Sequence, residues 1–224
     1  MANAKQILLV EGDADKSFFQ KMCKNLSLDT SVQVAPPKDL SGTHNSKQGV
    51  FQQLALLLPQ LNDGELTHVG AVVDADYLTQ HGLGYQKTID KITAIVQPFG
   101  FELDQGAQSG VCFSHADGLA DVGLWIMPNN QHEGMLEDWI KSCVNDNEQA
   151  LFQQAVAAVQ HIHSPKFSVH LSSKAEVATW LAWQKQPGHG LYATLKEPLL
   201  NNEHPWFKEL EQWLLNVFPK DVAQ

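Results

Sequence analysis

Two apolar runs in this chain each end on acids. Residues 7–15 read Ile-Leu-Leu-Val-Glu-Gly-Asp-Ala-Asp, and residues 69–76 read Val-Gly-Ala-Val-Val-Asp-Ala-Asp. A buried strand that stops at a carboxylate delivers it to the rim of a sheet, where open α/β folds bind their ligands. Two such rims together can hold a divalent cation, since magnesium takes oxygen ligands and commonly uses one or two carboxylates alongside substrate phosphates. The chemistry such a set supports is metal-assisted phosphoryl transfer or phosphodiester cleavage. Within it Glu11 ends the first run, Gly12 suits a tight turn, and Asp13 stands where a helix cap is expected. Asp15 falls one helical turn after Glu11, pointing back to the same rim. Asp74 and Asp76 leave the later run on alternate positions, which puts both on one side if the strand continues. An isolated Asp-x-Asp says little, and an acid after a strand is often only a cap or a solvated loop residue. A strand-ending Glu-Gly combined with a strand-ending Asp-x-Asp is considerably more specific.

These acids need a framework. Strand-like runs fall at 6–10, 31–35, 67–73, 110–114 and 122–127. Between the first of them, apolar residues recur at helical spacing: Phe18, Phe19, Met22, Cys23 and Leu26; then Val50, Phe51, Leu54, Leu57 and Leu58; then Ile89, Ile92 and Val96. Alternating β and α elements predict an α/β fold with a mostly parallel sheet flanked by helices. Residues 36–49, with Pro36, Pro37, Gly42 and Gly49 among polar residues, predict a loop. From about residue 133 the pattern is helical alone, over 134–144, 146–162, 173–184 and 205–218. The expected organisation is an α/β core over 1–132 and a helical extension over 133–224 packed on it. All six tryptophans lie from residue 125 onward, which suits sealing that extension against the sheet.

At 224 residues and 43% hydrophobic content the chain can bury a full core. No apolar run approaches the roughly 20 residues a bilayer requires, and the first residues lack the apolar stretch of a signal peptide, so a cytoplasmic protein with no membrane partner is expected. Cys23, Cys112 and Cys143 form no CxxC pair and suggest neither a disulfide framework nor a zinc site. The ten histidines show no HExxH or zinc-finger spacing. Net charge is −10 and every one of the 15 basic residues is lysine, which counts against tight binding of nucleic acid by phosphate neutralisation. The first 47 residues are the exception, with six lysines against five acids. Lys16, Lys21, Lys24, Lys38 and Lys47 could form a phosphate-facing patch there, or simply lie scattered on solvated faces.

Val10-Glu11-Gly12-x-x-Asp15 and Val73-Asp74-Ala75-Asp76 resemble the two signatures of the Toprim domain found in topoisomerases, bacterial primases and OLD-family nucleases. With Trp125-Ile-Met-Pro128, Gly134-Met-Leu-Glu-Asp138 and Trp180-Leu-Ala-Trp183, the chain as a whole resembles small stand-alone Toprim-like proteins of unassigned function related to those nucleases. The resemblance implies a Rossmann-like Toprim core. It implies Glu11 as general acid/base or metal holder, Asp74 and Asp76 as metal ligands, and Asp15 as the extra acid of a two-metal site for magnesium or manganese. More weakly it implies Glu137 as a further metal ligand and Lys174 as a catalytic lysine stabilising charge on the phosphate; a helix-surface acid and a solvated lysine are the competing readings, and the residues themselves favour these slightly. The implied activity is nuclease cleavage of DNA or RNA.

No GxxxxGK[ST] loop is present, so coupling to an ATPase would need a separate partner chain. Two other readings stand beside the nuclease. One is a non-catalytic Toprim-like module binding a partner protein or nucleotide, which the acidic charge favours and the complete set of acids opposes. The other is a magnesium-dependent phosphatase of the haloacid dehalogenase kind, whose Asp-x-Asp follows the first strand rather than the third.

Overall fold

Side-chain alternation along the strands decides the architecture. The computed structural model describes residues 5–34, 47–107 and 109–220. In β1 (Gln6–Val10), Leu8 and Val10 join one apolar cluster while Ile7 and Leu9 join another. The same division recurs in β3 (His68–Asp74), where Val72 faces one way and Val69, Ala71 and Val73 the other. In β6 (Val122–Met127), Trp125 and Met127 oppose Val122, Leu124 and Ile126. Strands apolar on both faces must be covered on both. One face carries α1 (Asp13–Asn25), α4 (Leu136–Ser142), α5 (Gln149–Gln160), α6 (Ser172–Ala182) and α7 (Pro205–Val217); the other carries α2 (Lys47–Asn62) and α3 (Gly84–Val96).

With β2 (Ser31–Val34), β4 (Phe101–Leu103) and β5 (Val111–His115), the sheet has six strands in the order β2-β1-β3-β6-β5-β4. Pairings from β2 to β6 are parallel, and β6-β5 and β5-β4 are antiparallel. The mostly parallel α/β sheet expected from the sequence is therefore present, with seven α-helices among the described residues. Strand β4 was not anticipated; three residues are too few to show a period. The loop expected over 36–49 falls mostly outside the described residues, and at its end Lys47–Gly49 is already the first turn of α2. No helix among the described residues is long and apolar enough to cross a membrane.

The C-terminal helices are built into the face of the sheet that α1 also covers. Trp125, Trp139, Trp180 and Trp213 are fully buried there, with the Trp125 and Trp213 rings 5.7 Å apart. Gly70 of β3 pairs in register with Gly123 of β6, and these two positions form a flat patch under the end of α7. A Cβ at Gly70 would stand 2.9 Å from Phe218, and one at Gly123 only 2.3 Å from Val217. Gly123→Ala is expected to cost about 1–3 kcal/mol by pushing α7 off the sheet, read as a lowered urea midpoint with unchanged slope. An unchanged midpoint would mean that α7 contributes little to the core.

Chain direction then creates a crevice. After β1 the chain enters α1 on one face, and after β3 it goes to α3 on the other face, while β1 and β3 are neighbours. Adjacent parallel strands whose continuations part to opposite faces leave an opening beyond their C-terminal ends. Glu11 and Asp74 stand at that opening.

Candidate active site: a carboxylate row with two lysines

Glu11 follows β1 directly, and its Oε1 accepts the backbone N–H of Asp74 at 2.8 Å, tying the two strand ends together. Asp74 Oδ1 accepts the N–H of Leu136 at 3.1 Å, at the start of α4. Asp15, in the first turn of α1, and Glu137, in the first turn of α4, complete the group. Each of these four carboxyls is held above its ordinary range, chiefly because burial disfavours the charged form. Glu11 is pushed up to about 7 by burial; Lys47 and the Asp74 N–H oppose the rise, and Asp76 and Asp15 add to it. Asp74 is raised well above the usual carboxylate range by burial and then by Glu11, Asp15 and Glu137. Burial works against the charge of Lys174, but Glu137, Asp74, Asp15 and Glu11 outweigh it and raise its pKa.

The fold places Glu11 and Asp74 at the ends of neighbouring strands, Asp15 at the start of α1 and the Glu137-Lys174 pair at the starts of α4 and α6, and several local details differ from the expectation. Gly12 rather than Asp13 is the N-cap of α1, with no side-chain cap bond, and Asp13 is an exposed residue of the first turn. The Gly12 backbone is extended, so no special turn demands glycine; a Cβ there would press to 3.3 Å on the Asp15 carboxylate. Asp76 does not leave the strand on the same side as Asp74, because the strand ends and Asp76 turns to a φ of 59°. Its backbone pairs with Gly134, with N–H to O distances of 2.9 and 3.2 Å. Its carboxylate meets Lys47 Nζ at 2.5 Å. Lys47 is accordingly buried against an acid and does not belong to a solvent-facing patch with Lys16, Lys21 and Lys24; Lys38 lies outside the described residues. Glu137 is not a helix-surface acid either, since it is buried with Lys174 Nζ 3.8 Å from its Oε1.

A polar network behind this row escaped the sequence reading. Asp138 Oδ2 accepts the Tyr77 hydroxyl at 2.8 Å and the Met135 N–H at 2.9 Å, and its Oδ1 accepts the Ser173 hydroxyl at 2.5 Å. Ser173 Oγ in turn accepts from Lys141, which pairs with Glu176. Because Asp138 adjoins Glu137 and Ser173 adjoins Lys174, this network fixes the two helix ends that present the Glu137-Lys174 pair. Gly134, at φ 136°, is required beside it: a Cβ there would meet Asp138 Oδ2 at 2.7 Å. The signal available in the sequence was the Gly-x-x-x-Asp spacing at a helix start, where an acid at the third helical position reaches back to the turn before it.

Hard carboxylate oxygens, in excess over the two lysines that face them, are the donor chemistry that suits magnesium or manganese. Among the described residues no three His, Cys, Asp or Glu converge as they stand into a metal shell. Lys47 and Lys174 lie among the carboxylates instead.

Fold and site thus define an α/β protein with an acidic crevice at the switch point between two parallel strands. The chain belongs to the family described as protein of unknown function DUF3226, which it matches over residues 5–219. No curated protein matches it. Among solved structures it is similar to the C-terminal region of the Xanthomonas campestris pv. campestris OLD protein, at 17% identity over 100% of this chain and 91% of that one, with a TM-score of 0.35.

Proposed function

We propose that this protein is a magnesium- or manganese-dependent nuclease of Toprim type, hydrolysing a phosphodiester of DNA or RNA. The observation that carries the proposal is the set Glu11, Asp15, Asp74 and Glu137 around one crevice, all with raised pKa values. Carboxyls shifted by burial and by one another are arranged at functional sites, where acids and bases need altered pKa values. Asp15, Asp74, Asp76 and Glu137 would hold the cations, which neutralise the row and the substrate phosphate and make water a better nucleophile when bound.

The chain's own residues supply the rest. Glu11, raised to about 7, is poised near neutral pH to take a proton from the attacking water or return one to the leaving oxygen. Its bond from the Asp74 N–H fixes the direction of the carboxylate. Lys174 is kept charged by the surrounding acids and half-exposed, so its ammonium can reach a phosphate oxygen at the mouth of the crevice. The net charge of −10 favours the second reading, a partner-binding module, and assigns most of the affinity for a polyanion to the cations.

The test is cleavage of single- and double-stranded DNA and RNA with magnesium or manganese, followed by chelation. Cleavage that stops on chelation, while the circular-dichroism signal persists, is the expected outcome, because the core forms around apolar side chains alone. Cation binding with no cleavage of any substrate would favour the module. Loss of the circular-dichroism signal on chelation would make the metal structural.

A further inference from the structure

Between α1 and β2 runs a groove of about 490 Å³ whose wall, among the described residues, contains no acid. Lys16, Gln20 and Lys24 line it from the helix, and Ser27, Ser31 and Gln33 from the turn and strand that follow. Cavities elsewhere in the fold do carry carboxylates: Glu148 and Glu197 in one, Asp104 and Asp121 in another, Glu209 in a third. In a chain of net charge −10 an acid-free wall stands apart. The acids nearest to it in sequence, Asp13 and Asp29, are exposed and lie outside the lining. Lys16, Gln20 and Lys24 follow one another at four-residue steps, so they form a single row along α1, about 12 Å long at 1.5 Å per residue. Lys47, Lys141, Lys174 and Lys208 each pair with an acid, whereas among the described residues Lys16 and Lys24 pair with none. Across the groove Ser31 Oγ accepts from Gln33 Nε2 at 3.3 Å, which leaves the hydroxyl hydrogen to donate. The groove therefore offers two uncompensated ammonium groups and several neutral donors. It is also placed to lead somewhere: Lys16 adjoins Asp15, one of the acids at the crevice, and β2 is the outermost strand of the sheet among the described residues.

Resting on the nuclease reading above, we propose that this groove carries the sugar-phosphate backbone of one strand of the nucleic-acid substrate, leading from the crevice along α1 and the edge of the sheet. Lysine ammonium groups neutralise phosphates and release their counterions, and this contribution is independent of sequence. No aromatic side chain lines the groove, so bases find no stacking platform there and the contact is to the backbone alone. Lys21 lies on the same helix outside the row and outside the lining, and takes no part.

The test is binding of labelled single-stranded DNA and RNA to the full chain by fluorescence anisotropy, at fixed magnesium and varied potassium chloride, in a Glu11→Gln background that slows cleavage. Lys16→Gln and Lys24→Gln keep a long polar side chain with good helix propensity, and circular dichroism checks that each variant folds. Each is expected to weaken binding equally for all sequences and to flatten the plot of log affinity against log salt by about 0.7, one phosphate contact on a single strand. The double variant should lose about twice that, and Lys21→Gln should match the unsubstituted background. Equal slopes in all these proteins would overturn the groove and leave the nuclease reading standing. Failure of the background protein to bind either nucleic acid would overturn the groove as well, and cleavage in the assay above would then still uphold the nuclease. Polyglutamate bound through Lys16 and Lys24, with nucleic acid bound elsewhere or not at all, would make the groove a site for an acidic peptide and overturn it too.

Discussion

Glu11→Gln is expected to lower metal-dependent cleavage by about 10²- to 10⁴-fold, the range in which a positioned general acid or base contributes, while the protein stays folded. The amide keeps nearly the shape of the carboxyl, and its oxygen can still accept the Asp74 N–H that Glu11 accepts at 2.8 Å. What disappears is a group that titrates at about 7 and so can both take and give a proton near neutrality. The pH profile carries the diagnosis: wild type should show a limb with an apparent pKa near that value, shifted by any bound cation, and residual activity in the variant should lack it. Full activity in Glu11→Gln would rule out this crevice as the reaction site. Activity lost with the limb retained would make Glu11 a metal holder and move proton transfer to another group.

The same residue controls stability in the opposite sense. In the metal-free protein the folded-state pKa of Glu11 lies at about 7 against an ordinary 4.5. A carboxyl raised in this way gives stability that is fully present below 4.5 and is lost as pH rises through 7, because the folded state then bears a poorly solvated charge. The loss is about 3 kcal/mol at most for that shift, and Asp74, Asp15 and Glu137, all raised, add to it in the same direction. Urea unfolding at pH 5 and pH 8 in chelator should therefore show wild type losing stability relative to Glu11→Gln, with the two converging in acid. Divalent cation should return the difference, since a ligand present at 100 times its dissociation constant stabilises by about 2.7 kcal/mol. Asp74→Asn should likewise be more stable than wild type without metal and gain less from it. A wild type that becomes more stable between pH 5 and 8 relative to both variants would mean that these carboxyls are satisfied by the protein alone, and the cation reading would fall.

Much of this crevice can be read along the chain, and the reason is local. Ile7–Val10 and Val69–Val73 are apolar on every residue because both faces of their strands are covered, and such runs stand out whatever surrounds them. An acid that ends such a run has nowhere to be except the rim, so Glu11 and Asp74 follow from one-dimensional pattern. Asp15 follows from helical spacing. The short β4 carries no period of its own and exists because β5 offers it an edge. The glycine pair at 70 and 123 is equally silent in sequence, since its meaning depends on the end of α7, Val217 and Phe218, arriving from far along the chain.

Composition, apolar runs and strand-ending acids were enough to establish an α/β sheet with carboxylates at the ends of its first and third strands. Only the folded arrangement could show how those charges are balanced. Lys47 looks in sequence like one more loop lysine two residues before a glycine, yet it is buried on Asp76. Lys174 and Glu137, on different helices, come together where the Ser173–Asp138, Lys141–Ser173 and Lys141–Glu176 bonds join α4 to α6. Burial of an apolar strand is decided by its own residues, whereas pairing of charges is decided by whichever elements the sheet order makes neighbours, and that order is a property of the whole chain.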